Sequence, residues 1–166
     1  MHLARQDGVI QLERTGPFMP PITFPGAGDM VVKAWLRQRL LESGLTGITF
    51  GQVVKRLVVR FDWHLWDRSA GEPPEYPEDG EPENYILGHP HSEQASRMIA
   101  DVFELVPKNA AAIDRSDGIR VLAGSWGNAD VFRAQGLGWC FVSERARDWF
   151  STVVGEHVAF EAVPVV

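Results

Sequence analysis

The run "RLVVRFDWHLW", Arg56–Trp66, constrains the fold more than any other stretch of this chain. Leu57, Val59, Phe61, Trp63 and Leu65 alternate with Val58, Arg60, Asp62, His64 and Trp66. Successive side chains of a strand point to opposite sides, so this alternation predicts a strand with one wholly apolar face. Left in water, that face would form a large apolar patch, so at least one helix is expected to cover it. The other face is mixed and is expected to meet solvent or a thin cover. The same alternation puts Trp63 and Trp66 on opposite faces, which argues against a shared aromatic pocket. Trp63 reads as core packing.

The strand runs straight into a segment of the opposite kind. "EPPEYPEDGEP", Glu72–Pro82, holds five carboxylates and four prolines without a positive charge, and nothing in it can build a core. Asp67–Glu83 holds seven acids against one base, Arg68, and that difference equals the formal net charge of −6 of the entire chain. The remainder of the chain is therefore neutral. Nucleic acid is not expected as a partner, since binding it needs a basic surface. A basic partner surface is favoured instead. The expected partner-binding residues are Glu72, Glu75, Tyr76, Glu78, Asp79, Glu81 and Glu83, with Tyr76 as the aromatic anchor. Catalysis by these carboxylates is not expected. General acid–base work needs carboxylates on a rigid frame, and this segment is rich in Pro and Gly. The bland alternative is a solvated spacer.

The 166 residues read as a single α+β domain, 1–166, with the acidic Pro-rich loop at 67–83. The sheet is expected to be mixed or antiparallel, covered by about three helices. A short strand is expected around Val9–Leu12, and "GPFMPPITFPGAGD" reads as irregular chain. "MVVKAWLRQRLLESG" reads as a helix that places Val32, Trp35, Leu36 and Leu40 on one face, with Asp29 as N-cap and Gly44 as the stop. "GITF" begins extended chain. "HSEQASRMIADVFELV" reads as a second helix, capped by Ser92 and ended by Pro107. Its apolar stripe would be Ala95, Met98, Ile99, Val102, Phe103 and Val106. "GIRVLAG" and "GWCFVS" read as strands, "SERARDWFSTVVG" as a third helix, and "HVAFEAVPV" as a closing strand. Val32–Val53 also echoes Val142–Val163 as a possible repeated helix–turn–strand unit.

The usual catalytic and metal signatures are missing. The one cysteine, Cys140, allows no intrachain disulfide and no thiolate cluster for zinc. It sits in the apolar run "GWCFV", where a buried structural role outweighs a reactive one. His89 and His91 form a His-x-His pair, but no further ligand completes a site. "AGSWG" is not a nucleophile elbow, and "GAGD" is not a phosphate loop. The start "MHLARQDGVIQLER" lacks the apolar stretch of a signal peptide, and no run is long enough to span a membrane. The expectation is a cytoplasmic protein without cofactor or metal, and not an enzyme.

Two stretches carry a family resemblance. "WLRQRLLESGLTGITFGQVVKRLVVRF" resembles a segment of the bacterial double-CxxCG family, which includes contact-dependent toxin-immunity proteins. "ADVFRAQGLGWCFVSERARDWF" with the later "VAFEAVPV" is similar to the ends of that family and of related immunity proteins. "RTGPFMPPITFPG" is similar to its N-terminal part. Asp130, Phe132, Arg133, Ser143, Glu144, Arg145 and Phe160 match the C-terminal pattern. Both CxxCG motifs are absent here, and residues 67–108 have no counterpart. The resemblance implies a metal-free, shortened relative that binds and neutralises a cognate toxin. The alternatives are a non-catalytic adaptor or structural module, and an enzyme whose site is assembled from dispersed residues.

Overall fold

A computed structural model describes residues 5–26, 28–61 and 82–166, with the backbone alone at Pro82 and Glu83. The fold is α+β. The strands are β1 Ile10–Gly16, β2 Ile22–Gly26, β3 Asp29–Lys33, β4 Ile48–Arg60, β5 Val102–Pro107, β6 Asn109–Ala111, β7 Ile113–Asp114, β8 Arg120–Val121, β9 Val131–Ala134 and β10 Cys140–Val142. The helices are α1 Ala34–Glu42, α2 Pro82–Gly88, α3 Glu93–Ile99 and α4 Glu144–Val154. None among the described residues is long and apolar enough to cross a membrane. The chain divides into two compact units, each drawn from separate stretches of sequence.

One unit comprises Met1–Met19 and Val53–Ala100. Here β1 runs parallel to the second half of β4, with Ile10 opposite Val53 and Gly16 opposite Arg60. The expected strand at Val9–Leu12 is thus real and longer than read. The expected strand at Arg56–Trp66 belongs to a longer one, Ile48–Arg60, but stops at Arg60, and Trp63 and Leu65 lie outside the described residues. Val59 is fully buried, as its face predicted, and Leu57 and Phe61 are half-buried. Val58, on the face expected to meet solvent, is equally buried. Its side chain converges with Ala95 and Ile99 of α3 around Gly16. The charged residues that made this face look solvated lie at or beyond the strand's end, and at Val58 the face is apolar.

The backbone of Val58 also holds α3. Its N–H donates to His91 Nδ1 at 3.0 Å, and its carbonyl accepts from the Ser92 N–H at 2.7 Å. Ser92 caps α3, its hydroxyl accepting from the Ala95 N–H at 3.2 Å. At the other end Lys55 Nζ donates to the carbonyls of Ser96 at 2.8 Å and Ala100 at 3.0 Å. A cation there satisfies carbonyls that the helix leaves unpaired. The helix stops at Ile99, since Ala100 has φ of 63°. The expected continuation through Val106 is overturned: Val102–Pro107 is β5, and Met98 is 61% exposed instead of lining a stripe. "VFELV" satisfies the strand period as well as the helical one, and β-branched valines favour the strand.

The other unit comprises Pro20–Gln52 and Asp101–Val166. β5 pairs antiparallel with the first half of β4 and with β3, and β3 pairs antiparallel with β2. The expected helix from Met30 is corrected here. Asp29–Lys33 is strand and the helix starts at Ala34. Met30, Val31 and Val32 are all buried, which a strand covered on both faces allows. Asp29 is not the N-cap, and Gly44, with φ of 68°, does follow the helix end. A second sheet is mixed, with β10 antiparallel and β6 parallel to β9.

The main core joins these layers through Ile22, Val32, Leu36, Leu40, Leu105, Val131, Phe150 and Val154. Helix α4 is capped by Ser143 and followed by Gly155, as its sequence implies. The expected closing strand is not formed. After the 3-10 turn Gly155–His157 the chain is irregular until Val165, which bridges Val121, and Phe160 is 39% exposed. The internal echo therefore ends at the helix: α1 leads into β4, whereas α4 leads into irregular chain.

Candidate partner-binding site

Of the expected binding residues, Glu72, Glu75, Tyr76, Glu78, Asp79 and Glu81 lie outside the described residues. Glu83 falls in α2, by backbone. The structure does describe the flanks of the acidic segment, and it brings them together. On one flank Phe61 donates its N–H to the Gly16 carbonyl at 3.0 Å. On the other, Tyr85 of α2 meets the Phe61 ring edge-on, with centroids 5.8 Å apart. His89 stacks on the Tyr85 ring with centroids 4.0 Å apart, its Nδ1 2.7 Å from the Tyr85 carbonyl. The twenty residues between Phe61 and Pro82 thus leave from, and return to, one aromatic contact. Holding the two ends of a segment together reduces the conformational freedom it has left to lose on binding.

The two histidines do not converge. His89 serves Tyr85, and His91 accepts from the Val58 backbone with Nε2 3.8 Å from Glu93. Among the described residues no group of three or more His, Cys, Asp or Glu side chains has the geometry of a metal site. Ser125 staples its own turn, donating to the Leu122 carbonyl at 2.6 Å and accepting from the Ala112 N–H at 3.1 Å.

A buried carboxylate is the main polar feature of the second unit. Asp130 is 7% exposed. Its Oδ2 accepts from the Thr46 N–H at 2.9 Å, the Thr46 hydroxyl at 3.0 Å and Arg145 Nη1 at 3.0 Å. Its Oδ1 accepts from the Ser143 hydroxyl at 2.8 Å. The backbone joins in: the Asp130 N–H donates to Thr46 Oγ1, and the Ser143 N–H donates to the Asp130 carbonyl. Asp130 therefore fastens the α1–β4 turn, the start of β9 and the N-terminus of α4. Gly47 makes the fastening possible. Its φ is 83°, and a Cβ there would overlap the Val131 carbonyl oxygen. Burial pushes the Asp130 carboxyl up, but the bonds from Thr46 and Ser143 and the charge of Arg145 outweigh it and leave the group below its ordinary value.

Asp130, Ser143 and Arg145 entered the sequence reading only through a resemblance, and the structure makes one cluster of them with Thr46. Of the other residues in that pattern, Phe132 stacks between Trp126 and Phe141 in a smaller core. Glu144 lies in the first turn of α4, and Phe160 stands apart. Arg133 faces Cys140 across the β9–β10 pair.

Cys140 is a poor nucleophile. Burial pushes its thiol up to about 12, against a smaller opposing pull from Arg133. At pH 8 a disulfide reagent should modify it far more slowly than a free thiol, and denaturant should restore ordinary kinetics. Fast stoichiometric labelling of the folded protein would contradict this placement.

Compared with known proteins, the chain matches no family model, no curated protein and no solved structure at a significant level.

Proposed function

We propose that this chain is an immunity-type binding protein that neutralises a cognate bacterial toxin, docking its acidic segment on a basic surface of that toxin. One observation carries the reading: the whole net charge of −6 falls in Asp67–Glu83, a segment whose flanks are held together by Phe61 and Tyr85. A toxin that attacks nucleic acids or nucleotides needs a basic, phosphate-seeking cleft. An acidic segment on a fixed base is drawn to such a cleft and excludes its substrate. The resemblance of the Trp35–Phe61 and Ala129–Phe150 sequences to toxin-immunity proteins supports the same reading. The protein then acts in the cytoplasm, stoichiometrically and without catalysis, and its partner is neither nucleic acid nor membrane.

Co-expression tests this. The chain should restore growth to cells expressing the toxic product of the gene beside its own, and the two should co-purify as a stable complex. Failure to protect against any toxic neighbouring product would favour the adaptor reading.

A further inference from the structure

Most arginines of the second unit use their donors within the protein: Arg145 on Asp130 and Gly44, Arg115 on Gly136, Arg147 on Asp148. Arg37 does not. It projects from α1 over the sheet, its guanidinium carbon 4.6 Å from the centroid of the Phe103 ring and 5.4 Å from that of Phe50. Among the described residues no hydrogen bond or ion pair reaches it, and its Nε is buried without an acceptor. Stacking occupies only the π-face of a guanidinium. The N–H donors lie in the plane of the group, so the rings do not occupy them. A buried charged donor left unsatisfied is costly, so its persistence needs an explanation.

We propose that Arg37 is the recognition group of a carboxylate-binding site on this unit. The two phenylalanines hold the guanidinium on neighbouring strands: Phe103 lies opposite Gln52 in register and Phe50 opposite Leu105, all on one face of the pairing. The ring contacts hold the guanidinium in place, and a carboxylate is the planar two-oxygen anion that fits its fork bidentately. Gln52, exposed and directly across from Phe103, supplies an amide on the same face. Arg133 also has a buried Nε without an acceptor, but among the described residues no aromatic ring lies over it, and its cross-strand neighbour is a thiol. The site does not depend on the toxin-binding reading, because it takes an anion and the acidic segment takes a cation.

The test is a titration of full-length protein carrying ¹⁵N-labelled arginine, following the Arg37 Nε–H signal, which Arg37→Lys identifies by its loss. Sodium acetate replaces sodium chloride at constant ionic strength. Acetate should shift this signal saturably while that of exposed Arg39 stays within the drift of the chloride control. A blocked peptide with one glutamate that saturates at lower concentration than acetate would assign the site to a protein side chain. Acetate binding at least as tightly would assign it to a small free carboxylate. Arg37→Met, which keeps an unbranched apolar stem and removes the buried charge, should leave Tm unchanged or raised. No saturable shift with either probe overturns the proposal. So does a shift shared equally by Arg39.

Discussion

Replacing Asp130 with alanine should destabilise the fold by roughly 3–4 kcal/mol, the range for breaking a buried hydrogen-bonded charge network. The loss would come mainly from Thr46 and Ser143, whose donors would face a cavity, and less from Arg145, which is 57% exposed at its side chain. The order of effects should follow: Asp130→Ala largest, Thr46→Val and Ser143→Ala intermediate, Arg145→Ala at most about 1 kcal/mol. The pH dependence has a definite sign. The folded carboxyl lies below its ordinary value, so its contribution is complete above about pH 4 and is lost as pH falls through the folded value. Asp130→Asn should lack that acid-side decline. Urea unfolding at neutral and acid pH measures both effects. A cost for Asp130→Ala below about 1 kcal/mol would mean that the cluster is ornament on a fold held elsewhere.

The sequence announced this network only in pieces. Ser143 before "ERA" and Gly155 after the apolar stripe are local signals, and α4 formed between them as read. Ser92 announced the start of α3 in the same way. Asp130 and Thr46 lie 84 residues apart, and no periodicity joins them. What failed were segments with two acceptable periods. Met30–Lys33 continues the helical stripe of α1, yet pairing with β5 makes it a strand, with Val31 opposite Glu104 and Val32 opposite Phe103. Val102–Pro107 likewise continues the stripe of α3 until Ala100 breaks it. In both places the neighbouring strand decided, and local sequence does not encode that neighbour. Val158–Val163 failed in the other direction: its alternation is real, but no strand pairs along it. Arg37 was hidden for a different reason. It is one of two arginines in α1 and belongs to no motif, and its aromatic walls come from strands whose register only the fold reveals.

Neutralising Glu75, Glu78, Asp79 and Glu81 together, as Gln or Asn, should slow association with the cognate toxin by roughly tenfold or more at low salt. The change removes four of the six net negative charges of the chain, all from one segment. Opposite charge accelerates encounter before contact, so the deficit should shrink as salt screens it, with a Debye length of about 8 Å at physiological ionic strength. Unfolding free energy should barely move, because the flanks of the segment are already held by the Phe61–Tyr85 contact and the Gly16 carbonyl. Tyr76→Ala should act on the other rate and speed dissociation, as loss of an aromatic anchor does. Stopped-flow association across a salt series, beside dissociation by competition, separates the two roles. If the fourfold variant associates as fast as the wild type at low salt and protects cells equally, the segment is a spacer. The toxin-binding surface would then lie on the charge-balanced remainder of the chain.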